Sequence, residues 1–103
     1  MNAVFEALAH PTRREILEML KSGSKTAGEL ADSFAVSKPT MSGHFAKLRE
    51  AGLIHADQRG TTIFYSVNLS TLEEVLLAFI GRMGFVPGEN GRSAPAAGQG
   101  EKA

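Results

Sequence analysis

The chain of 103 residues contains no cysteine. That one absence excludes disulfides, thiolate metal sites and cysteine redox sensing. There is no charge of one sign to speak of, with 11 Lys and Arg against 11 Asp and Glu, so the whole-chain balance points to no partner. No apolar run approaches the roughly 18 residues of a membrane span, and the N-terminus lacks the basic-then-apolar order of a signal peptide. A cytoplasmic location is the expectation. The parts of an enzyme are missing too: no glycine loop to cradle phosphate, and no His, Ser and carboxylate on positions that converge. At this length, one domain with one modest core is expected.

What is present is concentrated in Ser37-Lys-Pro-Thr-Met-Ser-Gly-His-Phe-Ala-Lys-Leu-Arg-Glu-Ala-Gly-Leu-Ile54. Ser37 is a good N-cap, Pro39 is tolerated in a first turn, and Gly52 suits the left-handed position past a helix end. Met41, Phe45 and Leu48 recur at helical spacing and predict a buried stripe. Lys38, Thr40, Ser42, Gly43 and Lys47 lie off that stripe, with His44 on its flank. The first two turns expose hydroxyls, lysine and glycine but no long acidic side chain. Such a face suits a DNA major groove, where short donors and acceptors reach base edges and lysines reach phosphates. The local charge agrees: residues 37–68 carry Lys38, Lys47, Arg49 and Arg59 against only Glu50 and Asp57.

Around this segment the spacing predicts a short apolar helix over 2–9, with Val4, Phe5 and Leu8 on one side. Pro11 opens a second helix, capped by His10 or Thr12, that buries Ile16, Leu17 and Leu20 and stops at Gly23. Thr26-Ala-Gly-Glu29 has capping-box spacing and starts a third helix, packed through Ala27, Leu30 and Ala31 and ending near Phe34. The tight turn from there to Ser37 is that of a helix-turn-helix. After Gly52 the period becomes two, in Leu53 to Gln58 and Thr62 to Val67, with Arg59-Gly60-Thr61 as the turn of a hairpin wing. Asn68 or Ser70 caps a last helix with Leu72, Val75, Leu76, Phe79, Ile80 and Met83 at i, i+3, i+4 spacing. Residues 1–86 form the domain, and 87–103, rich in glycine and proline, are expected to be a disordered tail.

Ala9-His-Pro-Thr-Arg-Arg-Glu-Ile-Leu17, Thr26-Ala-Gly-Glu-Leu-Ala31, Ser37-Lys-Pro-Thr-Met-Ser42 and the run from Gly60 to Tyr65 stand in an order that resembles the ArsR-type winged helix-turn-helix repressors. Within them the chain is similar to the SdpR-like, metal-independent branch. The resemblance implies a mainly α fold of four helices, a small β-hairpin and a fifth helix, and a transcriptional repressor, autoregulatory in that branch. It further implies a homodimer in which Val4, Phe5 and Leu8 meet Leu72, Val75, Leu76 and Phe79 across a two-fold axis. Double-stranded operator DNA with an inverted repeat is the implied partner. Relief by a membrane-protein antirepressor, or by a small-molecule inducer between the last helices, both stay open. A winged-helix module that binds protein instead of DNA is the alternative from another class.

Metal-sensing relatives carry cysteines in the third helix and histidines with carboxylates in the fifth. Here those stretches read Glu29-Leu-Ala-Asp-Ser-Phe34 and, from Leu69 to Phe85, no histidine, so no metal or other cofactor is expected at those sites. The candidate DNA contacts are Ser37, Lys38, Thr40, Ser42, Gly43, His44 and Lys47, with Arg59 and Thr61 on the wing. His44 has a packing role as its competing reading. His10 and His55 are assigned structural places, one of Arg13 and Arg14 is expected to bridge to Glu18 or another helix, and whichever of Phe64 and Tyr65 points inward is core.

Overall fold

The computed structural model describes residues 2–84. Eight elements follow in order: α1 (Asn2–Leu8), α2 (Pro11–Leu20), β1 (Lys25–Thr26), α3 (Ala27–Ala31), α4 (Lys38–Glu50), β2 (Ile54–Arg59), β3 (Thr62–Val67) and α5 (Leu69–Arg82). The described residues fall into two units, 2–72 and 73–84, so α5 begins in the first and continues in the second. The expected tail over 87–103 lies outside the described residues.

The helix starts are set by side chains that satisfy backbone donors with no partner inside the helix. His10, not Thr12, caps α2: its Nδ1 accepts from the Thr12 amide at 3.1 Å. Thr26 and Glu29 form the reciprocal capping box at the start of α3. The Thr26 amide that binds Glu29 also holds its carboxyl below the ordinary glutamate range. The third helix ends at Ala31, earlier than Phe34, because turn hydrogen bonds from the Ser33 and Phe34 amides replace the helical ladder. Ser37 caps α4, with Pro39 in its first turn.

The end of α4 decides where the wing goes. Gly52 adopts φ 76°, its amide donates to Arg49 O at 2.9 Å, and the Leu53 amide reaches back to Leu48 O at 3.0 Å. This is a Schellman turn with its apolar partners, since Leu48 and Leu53 are both fully buried. Asn68 locks the far end of the wing to the same point: its amide donates to Leu53 O, and Nδ2 donates to Gly52 O and to Thr71 Oγ1. Asn68 Oδ1 also accepts from the Thr71 amide, so Asn68, not Ser70, caps α5.

The sheet is antiparallel in the order β1-β3-β2, with Arg59 paired to Thr62 around a two-residue turn whose Gly60 has φ 65°. The two-residue β1 adds Lys25 opposite Tyr65 and Thr26 opposite Phe64. Tyr65 is the inward member of its pair and packs on Phe45 with ring centroids 4.7 Å apart. Ile16, Leu20, Leu30, Met41, Leu48 and Leu53 complete the core, so α2, α3, α4 and the sheet share one interior.

The left-handed backbone at Gly52 yields a stability test. Gly52→Ala places a Cβ in a conformation that costs an L-residue about 1–2 kcal/mol. Space is not the obstacle, because the nearest atom, Thr71 Cγ2, would stand 3.7 Å away. A urea titration should show the midpoint fall by that free energy divided by the slope, with the slope itself unchanged.

Candidate nucleic-acid interface

Four side chains of α4 turn inward: Met41, His44, Phe45 and Leu48. A 3.6-residue period then directs Ser42, Gly43, Ala46 and Glu50 outward, with Lys38 and Arg49 along one edge and Thr40 and Lys47 along the other. All of these are exposed. The middle of the outward strip is therefore nearly free of side chain. A methyl added at Gly43 would meet no atom within 4 Å. Beside it a groove of ≈ 240 Å³ between α3 and α4 is lined by Ala27, Gly28, Ala31, Met41 and Ser42, among others. Small residues on both helices of the pair let another backbone come close.

The candidate contacts divide into three groups. Lys38, Ser42 and Gly43 are exposed on α4, and Thr61 is exposed at the wing turn. Ser37 and Thr40 are also exposed but satisfy each other: Ser37 Oγ donates to Thr40 Oγ1 at 2.9 Å and accepts the Thr40 amide at 3.3 Å. Lys47 and Arg59 already hold carboxylates. Lys47 Nζ lies 3.5 Å from Glu6 of α1, and Arg59 contacts Asp57 through Nε and Nη2, each at 2.9 Å, while its guanidinium sits 4.7 Å from the Phe64 ring centre. Asp57 and Arg59 share one face of β2 because side chains alternate along a strand.

His44 does not belong to the surface. It is 6% exposed, its Nδ1 is 3.2 Å from Arg13 Nη1, and its ring centre is 4.5 Å from that of His10. Its spacing from Met41, Phe45 and Leu48 puts it inside the seam, and the packing reading is the one realised. His10 is structural as expected, whereas His55 is exposed on β2. Neither arginine of α2 meets Glu18. Arg13 donates to Ala7 O and Glu6 O, and Arg14 to Leu8 O, so both reach the terminal carbonyls of α1.

Of the residues assigned to a dimer contact, Val4 is 3% exposed and buried within the protomer. Phe5, Leu8, Leu72 and Val75 are half-buried, while Leu76 and Phe79 are exposed on α5. Two features escaped the sequence reading. Arg49 stands with Ser42 and Ala46 at i, i+4, i+7, a spacing that the apolar stripe already implied. Leu69 and Leu77 extend the exposed apolar surface of α5. Among the described residues no three His, Asp or Glu side chains gather where they could hold a metal ion, and no helix is long and apolar enough to cross a membrane.

A capped helix with a small outward strip, preceded by a short helix across a tight turn and followed by a hairpin, defines a winged helix-turn-helix protein of the DNA-binding, transcription-regulating class. Comparison with known proteins agrees. Residues 10–56 match the family profile described as bacterial regulatory protein, arsR family. The chain is 45% identical over 74 residues to the transcriptional repressor SdpR of Bacillus subtilis (strain 168), covering 72% of this chain and 82% of that protein. It is 30% identical to the structure of an ArsR-like transcriptional regulator from Rhodococcus sp. RHA1, with a TM-score of 0.71, covering 81% of this chain and 75% of that one. The structure of HlyU from Vibrio cholerae N16961 is likewise 30% identical, with a TM-score of 0.63 and 79% and 87% covered. The chain belongs to the ArsR family.

Gly43 offers the opposite test to Gly52. Its backbone is helical and its surroundings open, so Gly43→Ala should stabilise the free protein by about 1 kcal/mol. Thermal unfolding without DNA reads this, and a fall in stability would show that the space above Gly43 is filled.

Proposed function

We propose that the protein is a homodimeric transcriptional repressor that binds an inverted-repeat operator, at its own promoter among others, in the cytoplasm. One α4 enters a major groove in each half-site, and the half-sites lie about one helical turn, or a multiple of it, apart. The observation that carries this reading is the outward strip of α4. Ser42, Gly43 and Ala46 leave a cap-stabilised helix flat enough to enter a groove, with Lys38 and Arg49 along its edge to meet phosphate. Lys38, Arg49 and, after exchange with their carboxylates, Lys47 and Arg59 supply affinity, while Ser42 and its neighbours read base edges.

The repressor sign is supported by the name of the relative that is 45% identical. Dimerisation through α1 and α5 is supported by the apolar side chains that α5 leaves exposed on a single chain, Leu76 and Phe79 among them. Independence from metal at the usual family sites is supported by the sequence, which has no cysteine and no histidine from Leu69 to Phe85.

A salt titration of binding to a duplex from the DNA upstream of its own gene tests the reading. Each phosphate neutralised contributes a slope of about −0.9 in log affinity against log salt. Lys38→Ala should weaken binding and flatten the slope by about 0.9 per protomer. If wild type and Lys38→Ala bind with the same affinity and slope, the assigned face is wrong.

Asp57→Asn should act in the opposite direction. Arg59 must leave Asp57 to reach phosphate, so freeing it should tighten binding and steepen the slope by up to about 0.9 per protomer. An Arg59→Ala background should abolish that gain. A gain that survives there would place the effect in general repulsion rather than in the Asp57–Arg59 pair.

A further inference from the structure

Arg13 engages two other elements at once. Its Nε donates to Ala7 O at 2.8 Å and its Nη2 to Glu6 O at 3.0 Å, both carbonyls at the end of α1. Its Nη1 lies 3.2 Å from Nδ1 of the buried His44 on α4. A guanidinium has no lone pair to offer, so Nδ1 must be the acceptor and the ring proton sits on Nε2. Arg13 thus ties the last turn of α1 to the inward face of α4, and only through an uncharged His44.

The surroundings offer nothing to stabilise a charged imidazole there. From α2, the His10 ring lies tilted against that of His44 while its own Nδ1 caps the helix, and Arg13 is permanently cationic. From α1, the Glu6 carboxylate faces Lys47, which sits on the exposed surface of α4 itself. From β2, His55, Asp57 and Arg59 are all exposed, the last two paired with each other. Burial pushes the His44 pKa below the ordinary histidine value, and His10 and Arg13 push it the same way.

We infer that Arg13 is a positioning residue that seats the DNA-reading helix against α1 through neutral His44, so that protonating His44 unseats the helix and weakens DNA binding. This rests on α4 being the reading helix. The sign follows from linkage. A histidine whose folded pKa is depressed contributes its full stabilisation above the ordinary value of 6.5, and that contribution is lost as pH falls from there through the folded value. The direction is diagnostic, because adding protons to an ordinary DNA-binding surface strengthens attraction to a polyanion.

The test measures anisotropy of a labelled duplex from the DNA upstream of the gene, with the full chain, at low salt. From about pH 7.5 to about pH 5, wild-type affinity should fall severalfold, within the limit of about tenfold per pH unit that uptake of one proton per protomer sets. His44→Asn keeps an acceptor at the Nδ1 position without titrating, so it should bind well at both pH values. Arg13→Lys keeps the charge but loses the fork, so it should bind weakly even at the higher pH, with its circular dichroism unchanged. Wild-type affinity that holds or rises on acidification overturns the inference, as does an acid loss that persists in His44→Asn. A DNA-free measurement separates failure of this inference from failure of the DNA-binding reading. In heteronuclear NMR spectra the Arg13 Nε–H and the α4 amides should shift with the His44 titration. If they do not, the tie is not made, whatever DNA does. Absence of DNA binding at every pH, with those shifts present, instead removes the assignment of α4.

Discussion

The candidate DNA-facing strip of this protein is placed by the inward seam of α4. Met41, His44, Phe45 and Leu48 seat the helix on the core, and its outward strip is what remains. Because the seam is narrow, side chains on two successive turns stay exposed, and the residues there are Ser42, Gly43 and Ala46. The Schellman turn at Gly52 then continues the seam into Leu53, and Asn68 binds the start of α5 to the same loop. The wing is therefore set by hydrogen bonds at its base and by Tyr65 packed on Phe45, with no contribution required from its tip.

The electrostatics are local. A chain with zero net charge still offers cations along α4, but two of its candidate contacts are held by carboxylates, Lys47 by Glu6 and Arg59 by Asp57. Exposed pairs of this kind contribute little to folding stability. Their consequence is for binding, since DNA phosphate must displace a carboxylate before either cation is gained. Lys38 and Arg49 have no such competitor among the described residues, so in the proposed complex the first electrostatic contact falls on one edge of the helix.

Much of this was legible in the sequence because the signals are short and chemical. Ser37, Thr26 with Glu29, Gly52 and Gly60 each announce a helix start, a helix stop or a turn through a single backbone requirement, and each occupies the place it announced. Strand β1 was not legible: two residues show no period, and Lys25 and Thr26 become a strand only because β3 lies beside them. His44 was half legible. Its position at helical spacing with Met41 and Phe45 marked it as inward, while its residue type suggested a surface donor, and the spacing prevailed because Arg13 and His10 supply its partners. Arg13 and Arg14 were legible as bridges to another helix, but their partners on it were not. Carbonyls freed at the end of α1 are a property of the folded chain, and no pattern of residue types announces them.

In the proposed complex, DNA lies against the outward strip of α4 while the inward seam stays closed. The most direct measurement is a map of backbone amide shifts in a ¹⁵N-labelled protein as an upstream duplex is added at low salt. The largest changes should fall at Lys38, Ser42, Gly43, Ala46 and Arg49, with a second set at Gly60 and Thr61, while the core signals of Ile16, Leu20 and Leu30 hold still. A duplex that binds yet leaves Ser42, Gly43 and Ala46 unmoved would contradict it.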